Sequence, residues 1–320
     1  MILRFLKGLL LLFCLLFLSV CQQKNQPDPI ETVPADSCTS YLNITNGDTI
    51  TRLDQPSFSL PSGLLPYGSK VHLLADSGSV AGIFEVSIDS GKIWKPAKCI
   101  VALNSGEIWG RSRYKNIVSA VTKAVYSIYY KRVIIFGNSI TKHAPAPAIG
   151  WSGDWGMAAS SAEKDYVHII TKELQLLNSG VEIKVVQAID FEQNFWQYDF
   201  AKLQPYADFE PDLIIMRIAE NTNQDYINFF EASYGQFLVT LTSKTTPKVI
   251  CTTSFWKNQQ EVSSRIRNVA KSKSYLVADL EPYSNDKSLT AYKSFTDAGV
   301  GMHPSDKGMQ TIADCISKYF

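Results

Sequence analysis

Residues 133–141, VIIFGNSIT, constrain this chain more than any other stretch. Four apolar or β-branched residues run without interruption into Gly-Asn-Ser, and no helical period appears until well past them. That is the pattern of a strand buried on both faces, as in a parallel sheet, which ends and at once presents a serine. In open α/β sheets ligands gather at the carboxyl ends of the strands, so Ser139 stands where chemistry is expected.

The remainder of the chain from residue 131 alternates strand and helix patterns, which predicts an α/β fold built on a doubly wound, three-layer parallel sheet of the flavodoxin-like kind. Further strands are expected at 181–186, 212–218, 248–252 and 275–279. Helices are expected at 155–177, through Phe195 and Leu203, and at 226–241, 261–270 and 308–319, the last capped by Ser305. Residues 41–130 read differently. Short β-prone runs (FSL, KVHLL, GIFEVSID, CIVAL, EIWGRSRY) are broken by LPSG, ADSGS, DSGK and LNSG, which predicts a small N-terminal antiparallel β-sandwich domain. Trp94 and Trp109 read as its core, with stacking on a sugar face as the other role open to them.

The N-terminus is a targeting segment. Arg4 and Lys7 precede an apolar run from Gly8 to Val20, too short to span a membrane comfortably. It closes on Leu18-Ser19-Val20-Cys21, which resembles a bacterial lipobox with Cys21 as the lipid-bearing residue; an ordinary cleaved signal peptide is the other reading. Residues 1–21 are thus expected to be a lipoprotein signal and 22–40, proline-rich and almost without apolar content, a flexible tether. Export to the cell envelope with a lipid anchor in the membrane follows. Disulfides are then permitted: Cys38 with Cys99 is a possible bridge, and Cys251 and Cys315 read as buried thiols. No metal-type spacing occurs, and neither metal nor organic cofactor is expected. A net charge of +1 with no polybasic block argues against nucleic acid as a partner.

Ser139 has two prospective companions. Asn221, in Ala219-Glu220-Asn221 at the end of the third parallel strand, offers a side-chain amide at the same sheet edge. Such a donor beside a nucleophile stabilises a developing oxyanion by roughly 3–4 kcal/mol. His303, in Met302-His303-Pro304-Ser305 before the last helix, arrives from a loop at that edge, as a general base for serine must. His143 sits in a proline-rich loop and reads as a bystander, while Arg217, unusual in an apolar run, is suited to a salt bridge near the site.

These three blocks resemble those of the SGNH (GDSL-like) hydrolases. Gly137-Asn138-Ser139-Ile140-Thr141 stands for the Gly-Asp-Ser-Leu block, Ala219-Glu220-Asn221 for Gly-x-Asn, and His303-Pro304-Ser305-Asp306 for the terminal His-Pro block. Residues 41–130 resemble the Ig-like module at the C-terminus of chitobiase-type β-hexosaminidases, through Leu60-Pro61-Ser62-Gly63, Pro66-Tyr67-Gly68, Val86-Ser87-Ile88-Asp89-Ser90-Gly91 and Trp94. The resemblance implies residues 131–320 form a hydrolase domain with Ser139, Asn221 and His303 as catalytic residues. It implies a serine esterase that removes acyl groups, acetyl first among them, from an oligo- or polysaccharide. A lipid-ester hydrolase of the same fold and a non-catalytic glycan-binding surface lipoprotein are the alternatives.

Two positions depart from the family. The region after the second strand, 186–192, holds no glycine to supply a backbone oxyanion donor, and the usual triad aspartate, three residues before the histidine, is Val300. Three groups stand open to orient His303: Asp297, Glu192, or a backbone carbonyl, as in some acetyl-xylan-type esterases of similar layout. On the substrate side, Trp151 in Gly150-Trp151-Ser152-Gly153 suits either a sugar platform or loop packing, with Asn138 and Glu192 as further contact candidates.

Overall fold

The sheet order determines where a ligand can sit. The structure, a computed structural model, describes residues 52–75 and 82–320; the expectations for Cys21, the tether and Cys38 lie outside them. The described residues belong to one unit spanning Glu31–Phe320. Strand β10 (Arg132–Gly137), preceded by the nine short strands described below, is the first of five parallel strands, followed by β11 (Glu182–Gln187), β12 (Leu213–Arg217), β13 (Lys248–Thr252) and β14 (Leu276–Ala278). They pair in the order β11-β10-β12-β13-β14, all parallel. Counted along the chain that order is 2-1-3-4-5, and its reversal opens a crevice at the carboxyl ends of β10 and β12. Ser139 follows β10 by two residues and Asn221 follows β12 by four, so the two flank the crevice.

Alternation of side chains builds the layers. Ile134, Phe136, Ile214, Met216, Val249 and Cys251 face one apolar cluster, and Val133, Ile135, Leu213, Ile215 and Ile250 the other. The first cluster is closed by α2 (Ile189–Asn194), the one-turn α3 (Gln204–Ala207), α4 (Phe230–Leu241) and α5 (Gln260–Ser272); the second by α1 (Tyr166–Leu177) and α7 (Asp306–Ser317), with the one-turn α6 (Ala298–Gly301) between α5 and α7 in the chain. Every residue of β12 and β13 is buried. Each such aliphatic side chain stabilises the fold by about 1.5–3 kcal/mol, which is why 213–216 and 249–251 read as hydrophobic runs, with the buried Arg217 and Lys248 at strand ends.

The helix expected at 155–177 starts later, at Tyr166. Asp165 caps it, accepting from the His168 backbone N–H at 2.7 Å, while its other oxygen holds the Gly156 N–H at 2.9 Å. Residues 155–165 are loop and a short 3-10 turn, and Ala158 adopts φ +73°. The crossover through Phe195 and Leu203 is not one helix but α2, two 3-10 turns and α3. At the other end Ser305 caps α7 as its sequence position suggested, accepting from Gly308 N–H at 3.4 Å.

Among the described residues the first nine strands are β1 (Ser57–Phe58), β2 (Gly63–Pro66), β3 (Ser69–Leu74), β4 (Ile83–Ser87), β5 (Lys95–Pro96), β6 (Cys99–Ala102), β7 (Gly106–Tyr114), β8 (Ile117–Val118) and β9 (Thr122–Tyr129). They form a β1-β3-β6 sheet and a β2-β9-β7-β4-β5 sheet to which β8 adds; only β2 and β9 pair in parallel. Val71 and Ile100 from the first sheet and Ile108, Tyr126 and Ile128 from the second share one apolar cluster. Trp94 and Trp109 are half-buried, and each has a ring face covered by a cation, Arg111 at 4.0 Å and Lys123 at 3.7 Å respectively. Cys99 is disulfide-bonded, and Cys251 and Cys315 are buried. Lys248 at the start of β13 donates to Asn104 Oδ1 at 3.0 Å and to the Tyr319 carbonyl at 2.7 Å, tying the β6–β7 loop to the C-terminus.

Candidate active site

The nucleophile turn is tight because Gly137 permits it. A Cβ at Gly137 would overlap Thr141 Oγ1, so only glycine fits where the strand ends. The Asn138 carbonyl then accepts from Thr141 N–H at 2.8 Å and Lys142 N–H at 3.0 Å, closing the turn. Asn138 and Ile140 are buried, and Ser139 between them is half-exposed. The Ser139 amide N–H has no hydrogen-bond partner among the described residues.

Ser139 Oγ lies 2.8 Å from His303 Nε2. The opposite ring nitrogen, Nδ1, lies 2.8 Å from the Gly299 carbonyl oxygen. A carbonyl only accepts, so Nδ1 carries the proton and Nε2 presents its lone pair to the serine hydroxyl. The imidazole is thereby fixed in the tautomer a general base for Ser139 requires. His303 is 6% exposed, its carbonyl accepts from Ala291 N–H at 2.9 Å, and Trp256 meets its ring edge to face at 5.4 Å. Burial pushes the imidazole down to about 4, against the pull of the Gly299 carbonyl. The base therefore stays neutral through the whole range above pH 4. Its protonation should abolish turnover near pH 4, not near the ordinary 6.5, a displacement a pH profile of kcat/KM on a simple ester would show. Between those values the unfolded chain binds the His303 proton and the folded chain does not, so this residue's contribution to stability falls as pH drops from 6.5 towards 4.

Of the groups expected to orient His303, the backbone carbonyl is the one in place. Asp297 is a helix cap: its Oδ1 accepts from Val300 N–H at 2.9 Å, the bond that starts α6. Val300 itself is 1% exposed and packs with Trp151, Met157 and Ala291. Asp297→Asn keeps a capping oxygen and removes the charge. Its kcat should stay within about threefold of wild type, whereas loss of a triad carboxylate costs about 10⁴-fold; steady-state kinetics separate the two.

The three residues expected to contact substrate are all buried. Trp151 is 3% exposed, donates Nε1–H to the His143 carbonyl at 3.1 Å and packs edge to face on Trp155. It holds the loop together and offers no free ring face to a sugar. Asn138 and Glu192 are both 0% exposed. They belong to a buried polar network under the crevice, because polar groups without water must find protein partners. Asn138 Nδ2 donates to Glu220 Oε2 at 2.8 Å and to Glu192 Oε1 at 3.1 Å. Glu192 also accepts from Ala219 N–H at 2.7 Å and from Asn221 Nδ2 at 3.1 Å. Arg217, fully buried, grips Glu220 with two bonds of 2.6 and 2.9 Å. Burial alone would raise Glu220, yet the Arg217 charge and bonds hold its carboxyl below the ordinary value. Asn221 is half-buried with one amide N–H given to Glu192, leaving the second for a ligand.

The His143 ring turns to its own chain, its Nδ1 2.6 Å from the Ala144 carbonyl. Ala188, where a glycine donor was sought, spends its N–H on the Gly137 carbonyl at 2.7 Å. Sequence reasoning offered a backbone carbonyl behind His303 without saying whose, and it missed Trp256 as a neighbour of the ring. It also missed Ser254, whose hydroxyl donates to Glu220 at 3.1 Å. No group of three or more His, Cys, Asp or Glu side chains that could hold a metal occurs among the described residues.

No family model and no curated protein matches the chain. Solved structures with a similar course include an acetyl xylan esterase, 18% identical over 58% of this chain and 98% of that one, TM-score 0.39. A two-domain esterase active on acetylated mannans, co-crystallised with mannopentaose, is 16% identical over 59% of this chain, TM-score 0.40; the match spans 48% of its length. A GDSL-like lipase from Bacteroides ovatus, itself assigned only provisionally, is 14% identical over 83% of this chain and 79% of that one, TM-score 0.38. No residue role is carried over from them.

Proposed function

We propose that this chain is a serine ester hydrolase of SGNH type that removes acyl groups, acetyl above all, from carbohydrate. The observation that carries the reading is the relay Ser139 Oγ to His303 Nε2 and His303 Nδ1 to the Gly299 carbonyl, each at 2.8 Å. Ser139 Oγ attacks the ester carbonyl carbon as His303 Nε2 takes its proton. The oxyanion that forms is held by the free amide N–H of Asn221 and by the Ser139 backbone N–H, which replaces the missing glycine donor. His303 then returns the proton to the departing sugar oxygen, leaving an acyl-serine. Water, deprotonated by the same imidazole, releases the carboxylic acid and restores the hydroxyl.

The carbonyl at His303 Nδ1 supports the catalytic reading over the non-catalytic alternative. The acetyl group and the carbohydrate rest on the sequence blocks quoted above. Under this reading residues 41–130 are an Ig-like accessory domain and residues 131–320 the hydrolase domain. The lipid on Cys21 and the tether of 22–40 hold both in the cell envelope. Hydrolysis of aryl esters of increasing acyl length tests the substrate class. Acetate is expected to be the best substrate, with release of acetate from an acetylated polysaccharide. A preference for chains of eight or more carbons would move the assignment to lipid esters; no hydrolysis of any ester would end it.

A further inference from the structure

Among the described residues, Glu192 is the one carboxylate that accepts from the side chains of both asparagines of the site. Its Oε1 accepts from Ala219 N–H at 2.7 Å and Asn138 Nδ2 at 3.1 Å, and its Oε2 from Asn221 Nδ2 at 3.1 Å. A longer contact runs from the Asn221 backbone N–H at 3.4 Å. From its own backbone, the Glu192 carbonyl accepts from Asn223 N–H at 3.1 Å, so α2 is stitched to the Asn221 loop twice. Every one of these neighbours is a donor and Glu192 is fully buried, so the pocket is built for a group that only accepts. Resting on the hydrolase reading, we propose that Glu192 is a positioning residue whose ionised carboxylate aims the Asn221 amide at the oxyanion and ties it to the loop bearing Ser139, so that turnover depends on its charge.

The physical reason is satisfiability. Protonating Glu192, or replacing it with glutamine, puts a donor among four N–H groups and offers it no acceptor. One neighbour must then turn away, and Asn221, the least buried of the three residues, is the one free to do so. Burial, then the charge of Glu220, pushes the Glu192 carboxyl up to about 7, against the bonds from Asn221, Ala219 and Asn138. The charged groups around it are few. On its own helix Asp190 is exposed and paired with Lys202 at 2.8 Å; from β12 and the following loop come Arg217 and Glu220, bonded to each other. Its protonation therefore changes within the range where the His303 base is neutral, and the two ionisations are separable.

The test is the pH dependence of kcat on an aryl acetate for wild type, Glu192→Gln and Asn221→Ala. Wild type should show a partial fall as pH drops through about 7, to a plateau that persists until the His303 limb near 4. Glu192→Gln should lose the upper step and turn over about 10- to 100-fold more slowly with KM little changed, short of the 10²–10³ cost of deleting an oxyanion donor. Asn221→Ala, at a half-exposed site that tolerates truncation, should lose the same step, since no amide remains to be aimed. Its result decides the matter if Glu192→Gln does not fold. Persistence of the upper step in either folded variant would overturn the proposal while leaving the esterase intact. A wild type inert towards all esters would remove the function and this inference together.

Discussion

Replacing Ser139 with alanine is expected to lower kcat on an aryl acetate by a factor on the order of 10⁴ to 10⁶, with the fold unchanged. The expectation follows from position. Ser139 is half-exposed at the end of a fully supported turn, and its hydroxyl bonds only to His303 among the described residues. Removing it takes away the attacking atom and leaves the turn, which Gly137, Asn138 and Thr141 hold, in place. His303→Ala should cost a similar factor, and the double variant scarcely more, because the two act as one unit. Losses that multiplied would mean that the residues act independently, against the relay geometry.

The largest effect on stability should come from Arg217. Its guanidinium is fully buried, donates twice to Glu220 and reaches Asn138 Oδ1 at 3.4 Å, while its Nε finds no partner among the described residues. Arg217→Met preserves bulk but strands the Glu220 carboxylate in the interior. Removing one partner of such a pair costs about 3–5 kcal/mol, read as a fall in the denaturation midpoint. The sign with pH is set by Glu220. In wild type its carboxyl is held below the ordinary value, so its contribution is present above the unfolded pKa and lost as pH falls through the folded one. Without Arg217 the carboxyl rises, and the variant's deficit should shrink as the pH drops. Arg217→Met combined with Glu220→Gln should recover part of the loss, since both charges are then gone. A deficit below about 1 kcal/mol for Arg217→Met would place the pair among those that contribute little.

The inner parallel strands were legible because burial on both faces favours apolar residues, as in 133–136 and 213–216. Ser139, Asn221 and His303 were legible because each follows a strand or precedes a helix. Which of the three groups open to orient His303 is in place was not, because a backbone carbonyl belongs to every residue and leaves no mark in sequence. Asp297 was misread for a related reason. An aspartate three residues before a helical N–H is a cap pattern, and its nearness to His303 in sequence suggested a second use. Glu192 and Asn138 read as contacts for a ligand because a polar residue near a strand end is ordinarily exposed; here they satisfy one another beneath the crevice. The Arg217/Glu220 spacing of three residues was the available sign of that network. The start of α1 was misplaced because the apolar residues from Trp155 onward were joined to the helix, although Met157 lies about two and a half turns before Tyr166 and so off its buried face, while Asp165 carried the correct N-terminal signal.

The central claim is that His303 activates Ser139, and a fluorophosphonate probe tests it most directly, since only an activated serine reacts at an appreciable rate. The probe should label the full chain once, at Ser139 by peptide mass, at pH 7. Labelling should be absent in Ser139→Ala and close to absent in His303→Ala. Equal labelling of wild type and Ser139→Ala, or none in a folded wild type, would contradict the account.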